Sequence, residues 1–245
     1  MIRLTFLLYL LTPFPLIAAT LHFESGPQQK TLVELFTSEG CSSCPPAEEY
    51  LNKFKQSNDL WKKIIPVAFH VNYWDYLGWQ DRYAHQAFGQ RQSQYARLKR
   101  VSTVYTPAFI VNGEGWRPGL FSRDIHGASH EPGKLVVDIQ GDQLKADFHS
   151  AKSVKKSLTL NVAILGMGLS DFIERGENQG RTARHEFVVV GFDSLGSDNA
   201  NWKMTLPKKH YQNIKEQAIA VWVSTNDNPT PIQAVGGNLP QARDF

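Results

Sequence analysis

The sequence predicts an α/β domain followed by an antiparallel β-sandwich domain. Apolar runs alternate with helical patterns up to residue 128, two-residue periodicity takes over beyond Pro132, and Glu131, Pro132 and Gly133 form a break between the two regimes. Residues 20–131 are therefore expected as the first domain and residues 132–245 as the second. A chain of 245 residues with 42% hydrophobic and 20% charged content can bury a core, which excludes a disordered chain. The net charge of +3 is too small to capture a polyanion, so nucleic-acid binding is not expected.

Thr31 to Thr37 reads as a first strand, ending at the punctuated segment SEGCSSCPP. A helix follows, with Pro45 and Pro46 in its first turn, where amides lack partners anyway. Ala47, Tyr50, Leu51 and Phe54 form its inner side, and Glu48, Glu49, Asn52 and Lys53 its outer side. Ile64 to Val71 is a second strand. Residues 80–101 are expected as a helix with Tyr83, Ala87, Phe88, Tyr95 and Leu98 inward, Gly89 as a possible interruption, and Arg82, Arg91, Arg97, Lys99 and Arg100 on a solvated face. Ala108 to Asn112 is a third strand, a short edge strand falls near Trp116, and Leu120 to Ala128 is expected to close the domain as a helix.

In the second half, Leu135, Val137 and Ile139 alternate with polar neighbours, Gly141 and Asp142 make a two-residue turn, and Leu144, Ala146 and Phe148 resume the alternation. Further strands are expected at Leu158 to Ile164, Phe187 to Phe192, Trp202 to Leu206, Ala218 to Val223 and Ile232 to Val235.

Residues 1–19 carry the marks of a cleaved secretory signal. Arg3 supplies a positive start, Leu4 to Leu11 an apolar run too short to span a bilayer, and Ala18 and Ala19 a small-residue cleavage site. A periplasmic or secreted protein with no membrane span is expected.

The two cysteines, Cys41 and Cys44, lie between a strand and a helix start. A bridge closing so small a loop restrains the unfolded chain by only about 2 kcal/mol, so reactivity explains the spacing better than stabilisation does. Free amides and the positive end of a helix dipole favour a thiolate at Cys41, which is then the attacking nucleophile, provided that it is accessible. Cys44, one turn further in, is placed to resolve the mixed disulfide. The hydroxyls of Ser42 and Ser43 can bond the thiolate or a bound substrate, whereas Glu39 opposes its charge. No cofactor is called for.

The order strand, CxxC, helix, strand, helix, then Thr106 and Pro107 before a strand, resembles the thioredoxin-like fold. That resemblance implies a cis peptide before Pro107 beside the cysteines, with the backbone of Thr106 pairing with a bound substrate. Glu34, seven residues before Cys41, stands one residue further out than the buried acid that relays a proton to the second cysteine in thioredoxins, and by that resemblance it is a candidate proton acceptor. The blocks VELFTSEGCSSCPPAEEYL, HVNYWDYLGWQD, YTPAFIVNG and GENQGR with HEFVVV are similar to a family of exported bacterial proteins known only as thioredoxin-like and of unknown function. Gly40 stands where thioredoxins carry tryptophan, and the Ser42–Ser43 dipeptide differs from theirs, so the direction of electron flow stays open.

The leading expectation is thus an exported thiol–disulfide oxidoreductase acting on protein or small-molecule thiols and disulfides. One alternative is an extracytoplasmic copper or zinc metallochaperone using the cysteines with His126 and His130. The other is a redox-inert adhesion or adaptor module. Tyr73, Trp74, Tyr76 and Trp79 either offer a peptide platform or pack their own loop, and His70 is expected as a hydrogen-bonded structural histidine.

Overall fold

A computed structural model of the chain describes residues 20–117, 125, 127–152 and 156–240. The expected signal peptide and most of the expected helix at Leu120 to Ala128 lie outside the described residues. In chain order the elements are β1 (Thr20–Glu24), β2 (Thr31–Thr37), α1 (Pro45–Asn52), β3 (Ile64–His70), α2 (Gln86–Arg97), β4 (Ala108–Val111), β5 (Glu114–Trp116), β6 (Gly133–Gln140) and β7 (Gln143–Ser150). They continue as β8 (Leu158–Met167), β9 (Leu169–Phe172), β10 (Thr182–His185), β11 (Val188–Ser197), β12 (Asn201–Thr205), β13 (Glu216–Thr225) and β14 (Asn228–Asn238).

The expected fold class is corrected by this architecture. Among the described residues strand accounts for 46% and helix for 13%, which makes the fold β-rich rather than an α/β thioredoxin-like domain followed by a sandwich. One sheet of eight strands, ordered β14-β13-β8-β11-β3-β2-β4-β5, takes members from both halves of the sequence. Its seam is the parallel pairing of β11 with β3 at Val188 and Ala68, reinforced by the Ala68 amide donating to the Phe187 carbonyl at 2.8 Å. Hydrophobic runs specify that a strand is buried but not which strand lies beside it, and hence the sequence pattern left this seam invisible.

A second sheet, β1-β6-β7-β12, lies over the β8, β13 and β14 part of the large sheet. The expected hairpin supplies its centre: Leu135, Val137, Ile139, Leu144, Ala146 and Phe148 are buried, while their neighbours point outward. β1 was not anticipated. It pairs with β6, and Phe23 packs so closely on β14 that a Cβ added to Gly237 would lie 2.4 Å from its ring.

The two helices cover opposite faces of the large sheet. Successive strand residues alternate between faces, so Thr37 and Glu34, an odd number of positions apart on β2, point in opposite directions. Thr37 meets Glu48 of α1, and Glu34 meets Arg91 and Tyr95 of α2. α2 is shorter than expected because His85 caps its start, accepting from the Ala87 amide, and Gly89 sits inside it without breaking it.

Arg91 is also corrected, from a solvated face to the core. It is 6% exposed, its Nε donates to Glu34 Oε1 at 2.6 Å, and its guanidinium lies 5.1 Å from the Trp222 ring and 5.6 Å from the Phe69 ring. Tyr95 completes the group by donating to Glu34 Oε2 at 2.6 Å. Truncating one partner strands the other as an unpaired buried charge. Arg91→Ala is expected to lower unfolding free energy by about 3–5 kcal/mol, and replacing Glu34 and Arg91 together by leucine and methionine to recover most of that loss, both read by urea denaturation.

Candidate functional site

β2 ends at Thr37, and the chain turns through Ser38, Glu39 and Gly40 to reach the cysteines. The two are joined as a disulfide with Cα atoms 5.4 Å apart, and Cys44 is the N-cap of α1. The Cys44 carbonyl starts the helix by accepting from Ala47 at 2.9 Å and Glu48 at 3.2 Å. Ser42 and Ser43 are exposed, and the Ser43 hydroxyl lies 3.5 Å from Cys41 Sγ.

The cysteines themselves are covered: Cys41 is 1% exposed and Cys44 0%. That differs from the accessible Cys41 expected from the sequence. Two loops pack against the turn that carries the cysteines. Asn178, in the connection between β9 and β10, donates from Nδ2 to the carbonyls of Glu39 at 2.8 Å and Cys41 at 2.9 Å. Trp74 lies across Gly40, where an added Cβ would come within 3.1 Å of the tryptophan Cβ, and glycine is what allows this approach. The Trp74 indole N–H also donates to Thr106 Oγ1 at 2.7 Å. The Thr106–Pro107 peptide is cis. Trp74 therefore connects the turn before the cysteines to the residue before that proline.

Behind the disulfide lies a group of buried ionisable side chains. His185, the last residue of β10, stands between two acids: its Nδ1 is 2.5 Å from Glu48 Oε2 and its Nε2 is 2.9 Å from Glu39 Oε1. The Thr37 hydroxyl donates to Glu48 Oε1 at 2.5 Å, and the Trp79 indole donates to Glu39 Oε2 at 2.7 Å. At the end of β3, His70 Nδ1 is 2.7 Å from Asp81 Oδ2, and Asp81 also accepts from the amides of Glu39 and Tyr83. Asp171 of β9 pairs with the Tyr83 hydroxyl and with Arg82. A cavity of about 720 Å³ opens beside this group, lined in part by Glu39, Glu48, Asn178, Arg184 and His185.

Burial by itself would make His185 harder to protonate, but the carboxylates of Glu48 and Glu39 outweigh it and hold the imidazole well above its ordinary range. The same competition leaves His70 raised, with Asp81 prevailing over burial. Burial would raise Glu48 and Asp81, yet the charges on His185 and His70 respectively keep both below the usual carboxylate range.

Several sequence expectations find their places here. Glu34 is on the other face of the sheet, engaged by Arg91 and Tyr95, and it is Glu48 and Glu39 that stand on the disulfide's side. Glu48, expected on the outer side of α1, is 8% exposed. His70 is hydrogen-bonded as expected. His126 lies outside the described residues and His130 is exposed, and among the described residues the groups able to hold a metal ion include neither cysteine. They are Glu48, His70 and His185, and Glu39, Asp171 and His185, each with ligating atoms within 4.8 Å of one another. In the aromatic loop, Tyr73, Trp74 and Trp79 are hydrogen-bonded and partly buried, and only Tyr76, 78% exposed, is free to meet a partner. Sequence reading missed the β9–β10 ribbon and with it the positions of Asp171 and His185. The HEFVVV block was the one signal pointing to His185.

The family described as "Protein of unknown function (DUF1223)" matches residues 32–224, a span that holds the cysteines, the cis proline and the buried cluster. The chain belongs to this family. Two solved structures resemble the DUF1223 chain, and at these identities they speak to fold alone. A crystal structure of an Agrobacterium tumefaciens protein is 24% identical with a TM-score of 0.57, the alignment covering 86% of this chain and 94% of that one. HBP35 of Porphyromonas gingivalis is 15% identical with a TM-score of 0.56, covering 86% and 76% respectively. No curated protein matches. None of these descriptions names a thioredoxin-like family.

In the metal-free protein, stability gained from a raised histidine is complete below its unfolded value of 6.5 and is lost as pH climbs through the folded value. Urea unfolding in the presence of a chelator is expected to show falling stability above pH 6.5, by up to about 1.4 kcal/mol per pH unit for each histidine. His185→Gln should flatten that slope by roughly half.

Proposed function

We propose that this protein is an exported thiol–disulfide oxidoreductase in which Cys41 and Cys44 form the redox pair. The observation that carries the reading is the Cys41–Cys44 bridge at the start of α1, tied through Trp74 to the residue preceding a cis proline. Residues 1–19 support export. No helix among the described residues is long and apolar enough to cross a membrane.

A substrate thiolate attacks Cys41 Sγ, the S–S bond breaks, and Cys44 leaves as a thiolate that takes up a proton. A second substrate thiol then attacks the mixed disulfide and expels Cys41. The substrate loses two electrons and the pair gains them, and the same steps in reverse reduce a substrate disulfide. The exposed Ser42 and Ser43 flank the point of attack, and the backbone of Thr106 is the proposed docking strand for a substrate peptide.

Because Cys41 is covered, exchange requires the β9–β10 connection to move away. Asn178 is its latch. A two-stranded ribbon has little stability of its own, so the latch and the ion pairs around Asp171 and His185 are what hold it down.

The burial of Cys41 favours a second reading, in which the bridge is permanent and the protein redox-inert. The readings separate cleanly. Under the first, Cys41→Ser abolishes disulfide exchange and Cys44→Ser accumulates a mixed disulfide identifiable by mass spectrometry. Asn178→Ala, which removes two buried hydrogen bonds, should speed reduction of the bridge by a small-molecule dithiol about 10-fold. A reduction potential below about −300 mV, with no activity in any variant, establishes the second.

A further inference from the structure

His70 and His185 carry no bond-making or proton-transfer step of the exchange just described, yet the fold brings them together from β3 and β10 with ring centroids 5.0 Å apart. Each ring has one nitrogen fixed by an acid behind it: Asp81 holds His70 Nδ1 at 2.7 Å, and Glu39 holds His185 Nε2 at 2.9 Å. Those acids are in turn fixed, Asp81 by two backbone amides and Glu39 by the Trp79 indole. The other nitrogens are the chemically available ones. His70 Nε2 is buried in a residue with 0% exposure and has no hydrogen-bond partner, which is costly for so polar an atom. His185 Nδ1 faces Glu48. One ligating atom from each of Glu48, His70 and His185 lies within 4.8 Å of the others.

An outer carboxylate that fixes the tautomer and orientation of an inner imidazole is the usual support for a metal-binding histidine, and here it occurs twice. We propose that Glu48, His70 and His185 bind a divalent first-row transition metal ion, with zinc the best match. The ion occupies the space between His70 Nε2, His185 Nδ1 and the Glu48 carboxylate, displacing two protons to solvent: the one on His70 Nε2 and the one that His185 Nδ1 shares with Glu48. Two imidazoles and one carboxylate suit zinc, whereas calcium and magnesium select oxygen-only sites, and copper(I) wants the thiolates that the disulfide withholds. The alternative group through Asp171 is less suitable, because Asp171 is already neutralised by Arg82 and bonded by Tyr83. Glu48 and His185 both line the 720 Å³ cavity, so a fourth ligand position can face a water or a small anion there.

This site stands apart from the cysteine chemistry, and its test keeps the two separate. The oxidised full chain is stripped with a chelator and titrated with zinc by calorimetry, and with cobalt followed by visible absorption. One ion per chain and a raised melting temperature are expected, with the same affinity in the Cys41→Ser/Cys44→Ser double variant. His70→Asn and His185→Gln each keep the nitrogen that faces the outer acid while deleting the other one. They and Glu48→Gln should each weaken binding by about 100-fold or more, whereas the exposed His130→Ala should not change it. Nitrogen-15 spectra of the wild-type imidazoles give a readout that needs no variant, since zinc should shift His70 and His185 alone among the histidines. The absence of a wild-type binding event, affinity that survives all three substitutions, or spectra in which zinc leaves His70 and His185 unmoved overturns the proposal.

Discussion

The imidazole of His185, held between Glu39 and Glu48, is the interaction on which the arrangement of this protein's site depends. It joins the turn leaving β2 and the first helix, neighbours in sequence, to the two-stranded ribbon, in which it lies 137 residues after Glu48. Without that ring two largely buried carboxylates would face each other with no neutralising charge between them, and neither would stay ionised at small cost. With it, the ribbon is drawn down over α1, Asn178 reaches the carbonyls around Cys41, and the disulfide is shut in.

The surrounding protein is built to hold these charges still. His70 ends a strand in the middle of the large sheet and meets Asp81 from the loop that follows, and the backbone amides of Glu39 and Tyr83 donate to the same carboxylate. On the opposite face, Glu34, Arg91 and Tyr95 form a separate closed set among aromatic rings. The large sheet thus carries a buried ionic group on each side: under α2 the Glu34 carboxylate is fully buried and only Arg91 reaches the edge of a cleft, while beside α1 both acids, Glu39 and Glu48, line a cavity. The difference in access, more than the difference in charge, separates a structural pair from a candidate site.

Much of the local structure was legible in the sequence. The runs at Thr31 to Thr37 and Ile64 to His70, and the alternation from Leu135 to Phe148, appear as strands because side-chain period and burial agree there. The pairing of the cysteines at a helix start was readable from Gly40, Pro45 and Pro46. What escaped depends on distant partners. Arg91 and Glu48 sit on helices where a charged residue normally faces water, and nothing local marks them as buried. The β9 and β10 strands are four residues each and carry polar side chains, too short and too mixed to show a period. The union of both halves into one sheet rests on β3 accepting a parallel neighbour about 120 residues later, which no periodicity encodes.

That covering of the disulfide by Asn178 has a consequence in time. The two residues are 137 positions apart, so a ribosome that has finished Cys41 still needs on the order of ten seconds before the asparagine exists. Throughout that interval the newborn thiols have no roof. An oxidant that meets them in that interval acts on an open chain, and the later half of the protein then closes over the bond.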